Sequence, residues 1–185
     1  MTLLENEFYK VTLKKDETFS LDSADNRPYD VILNPGNITR SDYYKAFAVD
    51  IDDGAEQKRL ALVGSIYGAD SDVAILEGAR LTVLMHNMLT VIDCGTLSVL
   101  SHKKIPGMGV YFTISKFDNG YIVWGELAIV KLSPELEVEW SFSGEDIFVS
   151  PNGNVPFAIA EDTICISDWN GRKYKLNKFG QEILE

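Results

Sequence analysis

The chain has 185 residues, enough for one well-cored domain and short for two. Its hydrophobic fraction of 45% and charged fraction of 24% exclude wholesale disorder. With 28 acidic residues against 17 basic ones the net charge is −11, which repels a phosphate backbone and argues against nucleic acid as a partner.

Taken in chain order, the N-terminus MTLLENEF has neither the basic flank nor the apolar core of a signal peptide. The first alternating apolar and polar run is Phe8 to Lys14, and Asp16-Glu17 turns it toward Phe19 and Leu21. A loop over Asp22 to Pro28 leads to a short strand, Tyr29 to Leu33, which ends at the turn signal Asn34-Pro35-Gly36-Asn37. Tyr43 to Ile51 and Lys58 to Tyr67 then read as a hairpin closed by Asp52-Asp53-Gly54.

Val73 to Leu76 follows, and Leu81 to Met85 and Met88 to Ile92 flank His86-Asn87 with the spacing of a second tight hairpin. This most apolar stretch is too short to span a bilayer, so no membrane partner is expected and a soluble, cytoplasmic protein is. Further runs follow at Leu97 to Leu100, Val110 to Ser115, Tyr121 to Trp124, Leu127 to Leu132 and Leu136 to Phe142. The last are Ile147 to Val149, Pro156 to Ala160, Thr163 to Ser167 and Lys173 to Leu176. No window sustains a helical period, and short strands joined by hairpin turns predict an all-β fold.

Three segments echo one another: MLTVIDCGTLSVLS (88–101), LAIVKLSPELEVEWSFSG (127–144) and GRKYKLNKFGQEIL (171–184). Val99 to Val138 spans 39 residues and Leu132 to Leu176 spans 44, the period of a propeller blade. The middle segment resembles the quinoprotein-type β-propeller repeat, in which a strand reading like VYALD precedes a turn and then G-x-x-x-W-x-F. Val130-Lys131-Leu132 takes the first part, Ser133-Pro134-Glu135 the turn, and Trp140 with Phe142 the second. The resemblance covers residues 72–185, and the other two copies lack the tryptophan. It implies a propeller-like array of short antiparallel sheets, open or of about four blades, with a β-sandwich as the alternative. Residues 1–185 are then a single domain, with residues 1–70 an N-terminal β-layer and residues 71–185 the blade-like repeats. The scaffold suits protein binding, and no cofactor is expected, since nothing here supplies the cofactor site of the quinoprotein enzymes.

Candidate chemistry is sparse. Gly64-Ser65-Ile66-Tyr67-Gly68 is no nucleophile elbow, Cys94 and Cys165 read as small buried hydrophobes outside any CxxC, and Gly107-Met108-Gly109 lacks the setting of a phosphate loop. His86 and His102 lack metal-ligand spacing and read as solvated, the first in a hairpin turn and the second in a basic loop. Asp50, Asp52, Asp53 and Gly54, with Asp70 and Asp72 nearby, approximate a calcium loop, but their spacing fits hairpin closure better. Trp124, Trp140 and Trp169 read as blade cores.

Glu135, Glu137 and Glu139 alternate with Leu136, Val138 and Trp140. On one strand this sets three carboxylates about 6.5–7 Å apart on one face, an acidic strip opposite an apolar one. It is the candidate partner-binding site. The primary expectation is a non-enzymatic protein-binding module, such as a bacterial immunity-type protein neutralising a basic toxin. The alternative is a hydrolase or carbohydrate-active protein, which needs two carboxyls facing each other at about 5–9.5 Å.

Overall fold

A computed structural model describes residues 1–65, 72–153 and 155–183. Among them there are sixteen strands and no helix, so no helix is long and apolar enough to cross a membrane. Two compact units divide the chain, Met1–Ile105 and Pro106–Glu185.

The first unit holds a five-stranded and a four-stranded sheet. The strands β1 (Thr2–Glu5), β2 (Lys10–Asp16), β3 (Val31–Leu33), β4 (Lys45–Asp52) and β5 (Gln57–Gly64) assemble in the order β1-β2-β4-β5-β3. All pairings are antiparallel except β3 with β5. The β4–β5 hairpin turns at Asp52-Asp53-Gly54, where Gly54 takes φ 83°. Alternation sends Phe47, Val49 and Ile51 to one face, where they meet Leu62, Leu60, Val11 and Leu13 in a fully buried cluster. Ala46, Ala61 and Val63 sit on the other face beneath Phe19, Tyr29 and Tyr44. Small residues on that face let the segment between β2 and β4 lie close against the sheet.

The second sheet runs in chain order, β6 (Ala74–Glu77), β7 (Arg80–Met85), β8 (Met88–Asp93) and β9 (Ser98–Lys104). Leu81, Val83, Met85 and Ile92 join the same core cluster as Phe47 and Leu62, so the two sheets of this unit pack face to face. The second unit repeats the up-and-down plan. Its sheets are β10 (Tyr111–Phe117), β11 (Gly120–Gly125), β12 (Ile129–Leu132) and β13 (Val138–Phe142), then β14 (Phe157–Ala160), β15 (Thr163–Ser167) and β16 (Lys173–Asn177). Ile122, Trp124, Ile129, Phe148, Ile164, Ile166, Tyr174 and Leu176 form its core.

The three echoing segments are one structural device. Each spans the last hairpin of its sheet, with a side-chain oxygen capping the turn and a left-handed residue near its end. Asp93 accepts from the Thr96 amide and Leu97 has φ 54°. Ser133 Oγ accepts from the Glu135 and Glu137 amides and Leu136 has φ 63°. Asn177 Oδ1 accepts from the Phe179 and Gln181 amides and Gly180 has φ 75°. The left-handed residues thus recur at the 39- and 44-residue spacings of the sequence echo.

Several boundaries differ from the sequence expectation. Thr2–Glu5 is a strand that the short run LLE did not announce; it pairs along β2. Phe19-Leu21 and Ile147-Val149 are not strands, although Phe19 and Phe148 are buried, so their apolar character serves packing without a ladder. The strand after Leu97 runs on to Lys104, which places His102 in a sheet rather than a loop.

Candidate functional site

The acidic segment lies at the edge of the β10–β13 sheet, and its geometry corrects the expected strip. Glu135 and Glu137 fall in the β12–β13 turn, and only Glu139 belongs to a strand. Leu136 is turned inward by its left-handed backbone and is 7% exposed, whereas Val138 is 42% exposed. The pairing then slips. Lys131 faces Trp140 and Leu132 faces Val138, so Glu139 is the extra residue of a β-bulge. Strict alternation therefore ends on both sides of Val138, and the three carboxylates do not form a row on one face.

Glu139 instead serves a residue that the sequence reading passed over. Lys131 shares a sheet face with Ile122 and Ile129, inside the core of the second unit, and its side chain is 1% exposed. Its ammonium lies 3.2 Å from Glu139 Oε2 and donates to the Leu132 carbonyl at 3.1 Å. A β-carbon on Gly120 would stand 2.8 Å from that Nζ and 2.1 Å from the Leu132 oxygen, so glycine there makes room for the charge. The bulge aims Glu139 at Lys131. Glu135 and Glu137 remain exposed on a turn that Ser133 Oγ braces, also donating to Glu135 Oε2 at 3.0 Å.

Of the aspartates expected to close hairpins, Asp52 and Asp53 do so. Asp50 is ion-paired with Arg59, its cross-strand neighbour. Asp52 accepts from the Gly54 amide at 2.8 Å, and Asp53 accepts from the Ala55 and Glu56 amides at 2.9 Å each. These two amide bonds hold the Asp53 carboxyl below its ordinary range. Asp72 takes φ 57°, and Asp70 lies outside the described residues. No group of three or more His, Cys, Asp or Glu able to hold a metal occurs among the described residues.

Cys94 is 1% exposed, and burial first, then the Asp93 charge, push its thiol up to about 11, which removes it as a nucleophile near neutral pH. Cys165 is half-buried on β15. Trp124 lies in the core, stacked on Phe157 at 5.5 Å, and Trp140 is half-buried and donates to the Lys178 carbonyl at 2.9 Å. Trp169 departs from the expected core role: it is 46% exposed in the β15–β16 turn.

Two cavities stand out. In the second unit an open depression of about 660 Å³ is lined by Ala158, Cys165 and Lys175, which are cross-strand neighbours. In the first unit a smaller one of about 290 Å³ is lined by both histidines of the chain. His102 Nδ1 lies 2.9 Å from Thr90 Oγ1, and burial holds its imidazolium below the ordinary value, so the ring is neutral at pH 7. Neither histidine is the freely solvated group that its local sequence suggested.

Neither a protein-family model nor a curated protein matches the chain. Solved structures do. The Cps50 (Swd1) β-propeller domain of Myceliophteria thermophila aligns with a TM-score of 0.52 and 13% identity, over 75% of this chain and 56% of that one. KlHsv2 with loop 6CD replaced by a Gly-Ser linker aligns with a TM-score of 0.45 and 8% identity, over 75% and 46%. The chain thus spans about half the length of the structures it matches. At such identity the Swd1 likeness bears on fold alone, and the fold is an all-β, propeller-like array of short sheets.

Proposed function

We propose that the chain is a non-enzymatic protein-binding module that acts in the cytoplasm and receives a basic partner on the β12–β13 turn and the β13 edge. A bacterial immunity-type role, neutralising a basic toxin, is the specific form of this reading, and its repeat is of the quinoprotein type. The observation that carries it is the surface at Glu135, Glu137 and Val138. Two exposed carboxylates stand on a turn held by Ser133, beside an exposed apolar side chain, at the start of a strand that forms a sheet edge. An edge strand offers main-chain hydrogen bonds to an incoming segment, and the acids steer it there. The net charge of −11 extends the same field beyond the pair, over about 8 Å at physiological salt.

The test uses a partner retrieved from the native host by the intact protein. Glu135 and Glu137 are replaced together by glutamine, and Glu139 is left in place because it neutralises Lys131. Association should slow several-fold at low salt and lose part of its salt dependence, with the dissociation rate little changed. An association rate equal to wild type across the salt series removes the acidic turn from the interface.

A further inference from the structure

The chemistry gathered in the small cavity of the first unit differs from that of the acidic edge. The β7–β8 hairpin closes with Met85 opposite Met88 around His86-Asn87, and His86 holds φ 60° at the tip. Thr90 is paired with Val83 on one side and with His102 of β9 on the other. Directly paired residues of an antiparallel sheet share a face, as do residues two apart along a strand. Met85, Met88, Thr90 and His102 therefore share one face, the face whose Leu81 and Val83 pack on Phe47 and Leu62.

Two glycines of the opposing layer lie against these side chains. A β-carbon at Gly64 would stand 2.8 Å from Met85 Sδ, and one at Gly36 would stand 3.8 Å from His102 Nε2. His86 and Met88 line the same cavity. The Thr90 hydroxyl engages Nδ1 of His102, which leaves Nε2 as the nitrogen facing the void. This is how an outer hydrogen bond fixes the ring of a metal-binding histidine.

We propose that this cavity is a binding site for a soft monovalent cation of the copper(I) class, with the imidazoles of His86 and His102 and the thioethers of Met85 and Met88 as its donors. The donor set decides the class. No carboxylate among the described residues lines the cavity, which disfavours calcium and magnesium, whose sites are built from oxygen ligands. Two imidazoles without thiolate or carboxylate are too few for a closed zinc site. Thioether sulfur and neutral imidazole suit copper(I), which needs no fixed octahedral cage.

The experiment is an anaerobic titration of the full chain carrying Cys165→Ser, which removes the half-buried thiol as a competing ligand. Copper(I) is presented by a chromophoric competing chelator, silver(I) serves as the redox-inert probe, and the histidine ring resonances report the site. One equivalent should shift the ring signals of both His86 and His102 and raise the melting temperature. His102→Asn keeps a polar atom near Thr90 but removes Nε2. Met88→Leu keeps the volume, and His86→Asn tolerates the left-handed turn. Each should weaken binding about tenfold or more, while circular dichroism and the metal-free melting temperature verify folding. Ring signals that stay put at several equivalents overturn the proposal. So does undiminished affinity in folded variants, or zinc(II) bound as tightly as copper(I).

Discussion

A single lysine in an apolar run changes how the acidic segment is to be read. Lys131 is buried with Glu139 as its carboxylate partner, so Glu139 serves a buried charge whereas Glu135 and Glu137 stand on the exposed turn. Removing one partner of such a pair strands a charge, whereas surface substitutions shift stability little. Water reaches Glu139, whose side chain is 40% exposed, which reduces the cost below that of a fully buried pair. Glu139→Gln should therefore destabilise by about 1–3 kcal/mol in urea unfolding, and the Glu135→Gln/Glu137→Gln double change by no more than about 0.5 kcal/mol. Asp16 supplies a second residue-scale test. Burial raises its carboxyl pKa, but the hydrogen bonds from Tyr29 and Thr18 outweigh burial and hold it below the ordinary value. Its stabilisation is present above the unfolded value of about 3.9 and is lost as pH falls through the lower folded value. Tyr29→Phe should thus cost about 1.5–3 kcal/mol at pH 7, as for a hydrogen bond to a charged group, and progressively less below about pH 4. Equal costs at pH 7 and pH 3 would assign the Tyr29 effect to packing alone. Trp124 and Trp140 give a contrast. Trp140 donates to Lys178, while the buried Trp124 Nε1 has no hydrogen-bond partner among the described residues. Trp124→Phe should cost less than Trp140→Phe by about 1 kcal/mol, the worth of the one bond lost.

The element that recurs is the last hairpin of each blade-like sheet. Its left-handed position is filled by Leu97, Leu136 and Gly180, and the choice of residue follows from what lies above it. A β-carbon at Gly180 would meet the Trp140 ring at 2.6 Å in addition to the backbone strain at φ 75°. Gly180→Ala should therefore lower stability by at least about 1 kcal/mol and shift Trp140 fluorescence, since the ring must move. At Leu136 two effects oppose. Glycine would relieve roughly 1–2 kcal/mol of left-handed strain, but it would forfeit about 1.5–3 kcal/mol from a side chain that is 7% exposed. Burial narrowly wins, so leucine persists there. This device was legible as a 39- and 44-residue echo, because cap, turn and alternating strand each leave a local mark in the sequence. The bulge at Lys131 to Leu132 left none, because a bulge is a property of two strands and only one is read at a time.

Across the whole molecule the excess of acid sets a general field. At −11 the native chain repels itself, and added salt screens that repulsion. Raising sodium chloride from low to moderate concentration should lift the melting temperature by about 2–4 °C, the shift about 1 kcal/mol produces in a chain of this size. A flat or falling trend would mean that pairs such as Asp50 with Arg59 outweigh the net repulsion. Period-two alternation, Asp-Gly turns and the blade-length echo determined by themselves that this chain is all-β, propeller-like and built of small up-and-down sheets. Those signals are local, since a strand's period and a turn's φ are set within a few residues. Only the tertiary structure decided which acid partners the buried lysine, that His86 and His102 share one cavity with Met85 and Met88, and that Trp169 is exposed. Each of these depends on which strands become neighbours and on a one-residue slip in register, and a slip of one residue moves a side chain to the opposite face.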